Sequence, residues 1–229
     1  MKVWPGNMHQ DRNQAVSIPA ISAYPMPSTE PTPRVDWTVQ AGRAVLLIHD
    51  MQHYFLHKYD VNAEPIPTLV RHIAALREQC HALGIPVIYT AQPSIQPAQD
   101  RALLTDFWGP DLSDPNNAAQ VAIIDALAPA PHDIVLTKWR YSAFYRSALK
   151  KLMQDQGRDQ LIISGIYSHI GCMTTALDAF MNDIQPFFVS DATADFSAAE
   201  HTMAIEYVAQ LCGVSTSTRQ LQHWLSTHV

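Results

Sequence analysis

Asp50 closes an apolar run, Leu47-Ile-His-Asp-Met-Gln52, and Lys138 closes another, Leu136-Thr-Lys-Trp-Arg-Tyr141. A carboxyl and an ammonium at the ends of apolar segments can share a cleft. The carboxyl would serve there as a proton donor and the lysine as an anion contact. Taken singly, Asp50 reads equally as a helix cap and Lys138 as a solvated cation. To give up a proton near pH 7, Asp50 needs a raised pKa, which a poorly solvated site supplies and a neighbouring ammonium opposes. A dianionic substrate would push it up again, so the protonated form can belong to the complex and not to the free protein.

Other side chains fall in the same register. Gln92 in Tyr89-Thr-Ala-Gln-Pro93 and Tyr167 in Gly165-Ile-Tyr-Ser168 follow apolar runs and offer an amide and a hydroxyl or ring edge. Gln92 reads as well as a turn amide bonded to backbone. Arg101 lies in a long connection with Asp106-Phe-Trp-Gly-Pro110. Its alternatives are a surface ion pair or bidentate recognition of a carboxylate, with Trp108 walling an apolar ring. A connection of this length is more often a functional loop than filler. Arg140 and Tyr141 read as structural, and so does His169. Gly171 would leave backbone N–H groups open to a ligand at a helix start. Cys172 is one position, about 100° of helix rotation, away from the direction Gly171 faces, so it reads as a small packed residue.

The elements that must place these groups alternate. Arg43–His49 is a buried strand; Leu69, Val70, Ile73, Leu76, Cys80 and Leu83 recur at helical spacing, with Gly84 as the stop. Strands follow at 85–90, 134–137, 161–163, 187–190 and 214–218. Helices are predicted over 118–127, 148–155, 172–183, 198–211 and 219–226, with Met203, Tyr207, Val208 and Leu211 on one face of the fourth. The prediction is a three-layer α/β/α fold: a mostly parallel six-stranded sheet with helices on both faces. Ligands of such sheets collect beyond the carboxyl ends of the strands, where Asp50, Gln92, Lys138 and Tyr167 all fall. Residues 1–42, dense in proline (Pro5, Pro19, Pro25, Pro27, Pro31, Pro33), read as an N-terminal arm, and 43–229 as one domain.

Composition bounds the partners. A formal charge of −6 disfavours nucleic acid and anionic membranes, and leaves small anionic substrates open. No apolar run reaches the ~20 residues of a membrane span, and no signal peptide is legible. The three cysteines, Cys80, Cys172 and Cys212, lack metal-ligand spacing and suit reduced thiols in a cytoplasm. The eleven histidines show no metal pattern beside carboxylates, so no metal and no cofactor is expected.

The strings Ala44-Val-Leu-Leu-Ile-His-Asp-Met-Gln52, Asp106-Phe-Trp-Gly-Pro110, Lys138-Trp-Arg-Tyr-Ser-Ala-Phe144, Gly165-Ile-Tyr-Ser-His-Ile-Gly-Cys-Met-Thr-Thr175 and Asp195-Phe-Ser197 resemble the isochorismatase family. The resemblance spans roughly residues 18–218. It implies the Rossmann-like fold of that family and hydrolysis of the enolpyruvyl vinyl ether of isochorismate, or of 2-amino-2-deoxyisochorismate. Cysteine hydrolases of the wider superfamily place their nucleophile where this chain has Gly171. The resemblance therefore implies proton transfer without a covalent intermediate, with Asp50 as the acid and Lys138 beside it. Gln92, Arg101, Trp108, Tyr167 and the Gly171 backbone would hold the substrate. It further implies a homodimer. Some relatives carry a C-terminal carrier-protein domain; a chain of this length is expected to hold none.

Overall fold

The computed structural model of the protein describes residues 17–28, 31–110, 112 and 114–227; the start of the expected N-terminal arm lies outside them. Six strands form one parallel sheet: β1 (Ala44–His49), β2 (Val87–Ala91), β3 (Ile134–Thr137), β4 (Gln160–Ile166), β5 (Gln185–Ala194) and β6 (Val214–Thr216). Their order is β3-β2-β1-β4-β5-β6. The chain walks outward from β1 to β3, returns to lay β4 beside β1, and walks outward the other way. The seam between β1 and β4 is thus the point where strand order reverses, the usual ligand crevice of doubly wound sheets.

Alternation along each strand divides the core in two. Leu46 and Ile48 of β1 join Leu69, Ile73 and Leu76 of α2 (Ile66–Ala82) and Leu221 and Leu225 of α8 (Thr218–Thr227). Val45 and Leu47 face the other way. They meet Leu149 and Met153 of α5 (Leu149–Asp155), Ala176 and Ala179 of α6 (Met173–Met181) and Ile205 and Val208 of α7 (Ala198–Leu211). Each fully buried aliphatic side chain of this kind contributes roughly 1.5–3 kcal/mol of transfer free energy.

Two sequence expectations are corrected. The stretch 118–127 is not an α-helix but two 3-10 turns, Pro115–Gln120 and Asp125–Leu127. The backbone between them bonds sideways to the segment after β1: His53 N donates to Ala122 O and Ile124 N to Met51 O, both at 3.0 Å. These bonds replace the i→i−4 ladder. On α7 the buried face is His201, Ala204, Ile205, Val208 and Ala209, with Met203 and Leu211 exposed. Ala204 and Ala209 are buried on that face while the larger Met203 and Leu211 stay outside, so apolar size misleads about direction. β4 and β5 also run longer than expected, past a register shift between Ile163 and Gly165.

The described residues 17–28 and 31–42 hold no helix or named strand, yet Ile18, Ile21, Tyr24 and Val39 are buried. Ile21 N donates to Lys58 O (2.7 Å) and Tyr24 N to Glu64 O (3.0 Å), fastening this segment to the turn that follows α1 (His53–Leu56).

Candidate active site

Four strands in a row end in a polar residue. Across the sheet, β3, β2, β1 and β4 are followed by Lys138, Gln92, Asp50 and Tyr167, and all four line one cleft. The long β2–β3 connection folds over it as α3 (Ala98–Arg101) and α4 (Leu104–Trp108), which deliver Arg101 and Trp108. Gly171 enters from a π-helical turn, Ser168–Cys172, ahead of α6. Every site residue expected from the sequence therefore reaches the same cleft. Arg140 and Tyr141, read as structural, line it too.

Asp50 is the centre. It adopts φ 50°, a left-handed conformation that costs a non-glycine residue roughly 1–3 kcal/mol and is found at functional sites. Its carboxylate is held from two sides: Lys138 Nζ donates to Oδ2 at 2.8 Å and Thr90 Oγ1 to Oδ1 at 2.7 Å. Asp50 and Lys138 are only 5% and 4% exposed, so the pair is nearly dry. Burial pushes the Asp50 carboxyl up. His49 and Lys138, with the hydrogen bonds from Lys138 and Thr90, outweigh it, and the net shift is downward. His49 is itself pushed down to about 4, chiefly by burial. Near neutral pH its imidazole is uncharged, and the cation holding Asp50 is Lys138. The raised pKa wanted of a proton donor is thus absent from the free protein.

The walls are fixed by their own bonds. Trp108 Nε1 donates to Tyr141 Oη at 2.9 Å, so Tyr141 braces the indole. Arg101, 3% exposed, donates from Nε to Gly109 O at 2.7 Å. The Gln92 backbone is pinned by Gln52, whose Nε2 donates to Gln92 O (2.9 Å) and whose Oε1 accepts from Gln92 N (2.8 Å). The Tyr167 hydroxyl donates to Phe55 O at 3.1 Å, so its ring faces the cleft, stacked edge-on against Phe196. Phe196 is positioned by Asp195, a fully buried carboxylate that accepts from Phe196 N, His169 N and His169 Nδ1.

Among the lining residues that escape sequence reasoning are His49 and Ile18. His49, wholly buried inside an apolar strand, lines the cleft beside Asp50. Its ring lies over Gly171, where open backbone N–H groups were expected. Ile18 reaches the cleft from the N-terminal segment, whose prolines hide any pattern. Cys172 is wholly buried on the far face of the sheet, its thiol pushed well above the usual range by burial and by the Asp50 charge. It does not line the cleft. His81, His132 and Asp133 cluster at the opposite end of the sheet, where His81 bonds Asp133 at 2.8 Å.

The geometry offers one carboxyl, one ammonium, two arginines and aromatic walls. That set can bind a small anionic ring and move a proton. Residues 44–220 match the model of the isochorismatase domain. The chain is 53% identical to isochorismatase of Bacillus subtilis (strain 168), over 90% of this chain and 66% of that protein. It is 50% identical to enterobactin synthase component B of Escherichia coli (strain K12), over 90% of this chain and 72% of that protein. With the phenazine biosynthesis protein PhzD1 of Pseudomonas aeruginosa it shares 44% identity, over 89% of this chain and 98% of that one. A cysteine hydrolase from Pseudomonas syringae pv. phaseolicola superposes with a TM-score of 0.73 at 23% identity, over 86% and 99% of the two chains, a likeness of fold.

Proposed function

The chain belongs to the isochorismatase family, and from that premise we propose that it hydrolyses the enolpyruvyl vinyl ether of isochorismate. The products are pyruvate and 2,3-dihydro-2,3-dihydroxybenzoate. The observation that carries the reading is a buried carboxyl bonded to an ammonium in a cleft that the nearby thiol of Cys172 does not line.

In the free protein Asp50 is ionised. An incoming substrate carboxylate competes for the Lys138 ammonium and adds negative charge, and both effects raise the Asp50 carboxyl until it takes a proton from solvent. Asp50 then donates that proton to the terminal methylene carbon of the vinyl ether. The C=C electrons form the new C–H bond, and the ether oxygen stabilises the resulting oxocarbenium ion. Water adds to the cationic carbon and loses a proton to the Asp50 carboxylate. The hemiketal collapses as Asp50 returns that proton to the ring-borne oxygen: the C–O bond breaks, this oxygen leaves as the alcohol, and the hemiketal hydroxyl becomes the pyruvate carbonyl as its proton passes to solvent. Water is the one co-reactant, and no enzyme-bound ester forms. Arg101 and Gln92 face the substrate's carboxylates and hydroxyl, while Trp108 and Tyr167 sandwich the ring.

Pyruvate release from isochorismate by the purified chain tests this directly, with 2-amino-2-deoxyisochorismate alongside. The second substrate earns its place because the phenazine relative is matched over nearly its whole length. Cys172→Ala is expected to retain wild-type turnover within about twofold, losing on the order of 1 kcal/mol of stability. An inactive but folded Cys172→Ala protein, or a sulfur-linked adduct in the mass spectrum, overturns the mechanism. A homodimer acting in the cytoplasm completes the proposal. The dimer comes from the family resemblance, and the compartment from three free, buried cysteines. Light scattering at twice 25.6 kDa is the expected result. Among the described residues no helix is long and apolar enough to cross a membrane.

A further inference from the structure

His49 is wholly buried, adjoins Asp50, and takes no step in the reaction above. Two glycines make room for it. Gly165 sits opposite His49 in the β1–β4 ladder at φ 107°, where a Cβ would strike the His49 carbonyl oxygen and lie 2.7 Å from its nitrogen. Gly171 sits over the ring: a Cβ there would collide with Cε1 and lie 2.8 Å from Nε2 and 3.1 Å from Nδ1. Gly171 is not among the residues of positive φ, so its backbone would accept any side chain. The three atoms nearest to a Cβ at 171 all belong to the imidazole, which is what demands glycine there.

The ring is also anchored. Nδ1–H donates to Ile166 O at 2.7 Å, and the same nitrogen lies 3.6 Å from Asp50 Oδ2. Burial leaves the imidazole neutral, so its single proton resides on Nδ1, and Nε2 faces the Tyr141 carbonyl at 3.4 Å. A neutral, packed ring therefore forms the floor beneath the carboxyl and excludes water from it.

We propose that His49 is the positioning residue of Asp50, and that His49 and Gly171 form an obligate pair. The imidazole fills the volume any residue-171 side chain would need, and its bond to Ile166 fixes the aim of the neighbouring carboxyl. This rests on reading Asp50 as the acid. Removing the ring leaves a hole beside two charged groups, into which water enters and toward which Asp50 can swing.

Turnover and unfolding of variants test the pair. His49→Ala is expected to lower kcat about 100-fold, the scale of a slightly misplaced catalytic group, with KM changed less than about threefold. His49→Asn keeps a donor near the Nδ1 position and is expected to recover kcat to within about tenfold of wild type. Gly171→Ala is expected to be as damaging as His49→Ala. Added to either His49→Ala or His49→Asn, which lack the colliding Cε1, it should cost less than about twofold more. Urea unfolding of the same single and double variants reads the coupling without substrate. Additive losses in both cycles, or unchanged kcat in His49→Ala, overturn the proposal. Absence of pyruvate release by wild type defeats the reaction instead, and the unfolding cycle still decides the pair. Should His49→Ala fail to fold, the His49→Asn cycle carries the decision.

Discussion

At the residue scale the decisive fact is that Asp50 and Lys138 meet at 2.8 Å with almost no water. Breaking a buried pair from one side costs more than the pair is worth, because the other charge is stranded. Asp50→Asn is expected to lose at least about 100-fold in kcat, the low end for a general acid. Lys138→Met removes the cation from a carboxyl that stays buried, so Asp50 moves up. The substrate carboxylate loses its partner, and KM is expected to rise about 10- to 100-fold, the worth of one charge-assisted hydrogen bond. Steady-state pyruvate assays separate the two outcomes. Asp50, Gln92, Lys138 and Tyr167 were legible because a polar residue ending an apolar run is conspicuous. His49 was not, because one histidine inside an apolar strand has no spacing signal, and its meaning comes from Gly165 and Gly171 more than a hundred residues away.

Among elements, the N-terminal segment matters more than its composition implies. Asp195 N donates to Tyr24 Oη at 2.6 Å, and the Tyr24 hydroxyl donates onward to His201 Nδ1 at 3.2 Å. His201 Nε2–H donates to Ser190 O at 3.0 Å. This buried chain ties residues 17–28 to α7 and to the turn that carries Phe196 into the cleft. Tyr24→Phe strands the Asp195 amide and a ring nitrogen. A loss of about 1–3 kcal/mol is expected, read as a lowered unfolding midpoint. The helices were legible where one face is long and aliphatic, as in α2. They were misread where sideways bonds to another segment replaced the ladder, as at Ala122 and Ile124.

For the molecule as a whole, protons act through its buried histidines. Burial pushes His49 and His201 down to about 4, so the unfolded chain binds protons near pH 6.5 that the folded chain refuses. Stability must therefore fall as pH drops from about 6.5 toward 4. His72 and His169, raised by Asp191 and Asp195, work the other way: their contribution is complete below about 6.5 and fades as pH rises through their folded values. Asp50 and Asp191, both lowered, add stability that disappears only below the carboxylate range. His201→Gln is expected to flatten the fall between pH 6.5 and 4, measured as urea midpoint against pH. The strand count, the parallel sheet and the face bearing the cleft were all readable from alternation alone. The burial of Ile18, Ile21 and Tyr24 was not, because they find their partners only in the finished tertiary structure.

The reversal of strand order also sorts the cleft by ancestry. Everything charged in it, Asp50, Arg101, Lys138 and Arg140, descends from the stretch before β4, whereas Tyr167, Ile170 and Phe196 descend from the stretch after β3. The charges are therefore heritable apart from one side of the mould, while Trp108 and Tyr141 on the other side travel with them. A chimera that grafts residues 160–216 from a cousin would remodel the Tyr167 and Phe196 side of the mould and leave the proton's route intact, so long as the donor brings glycine to position 171.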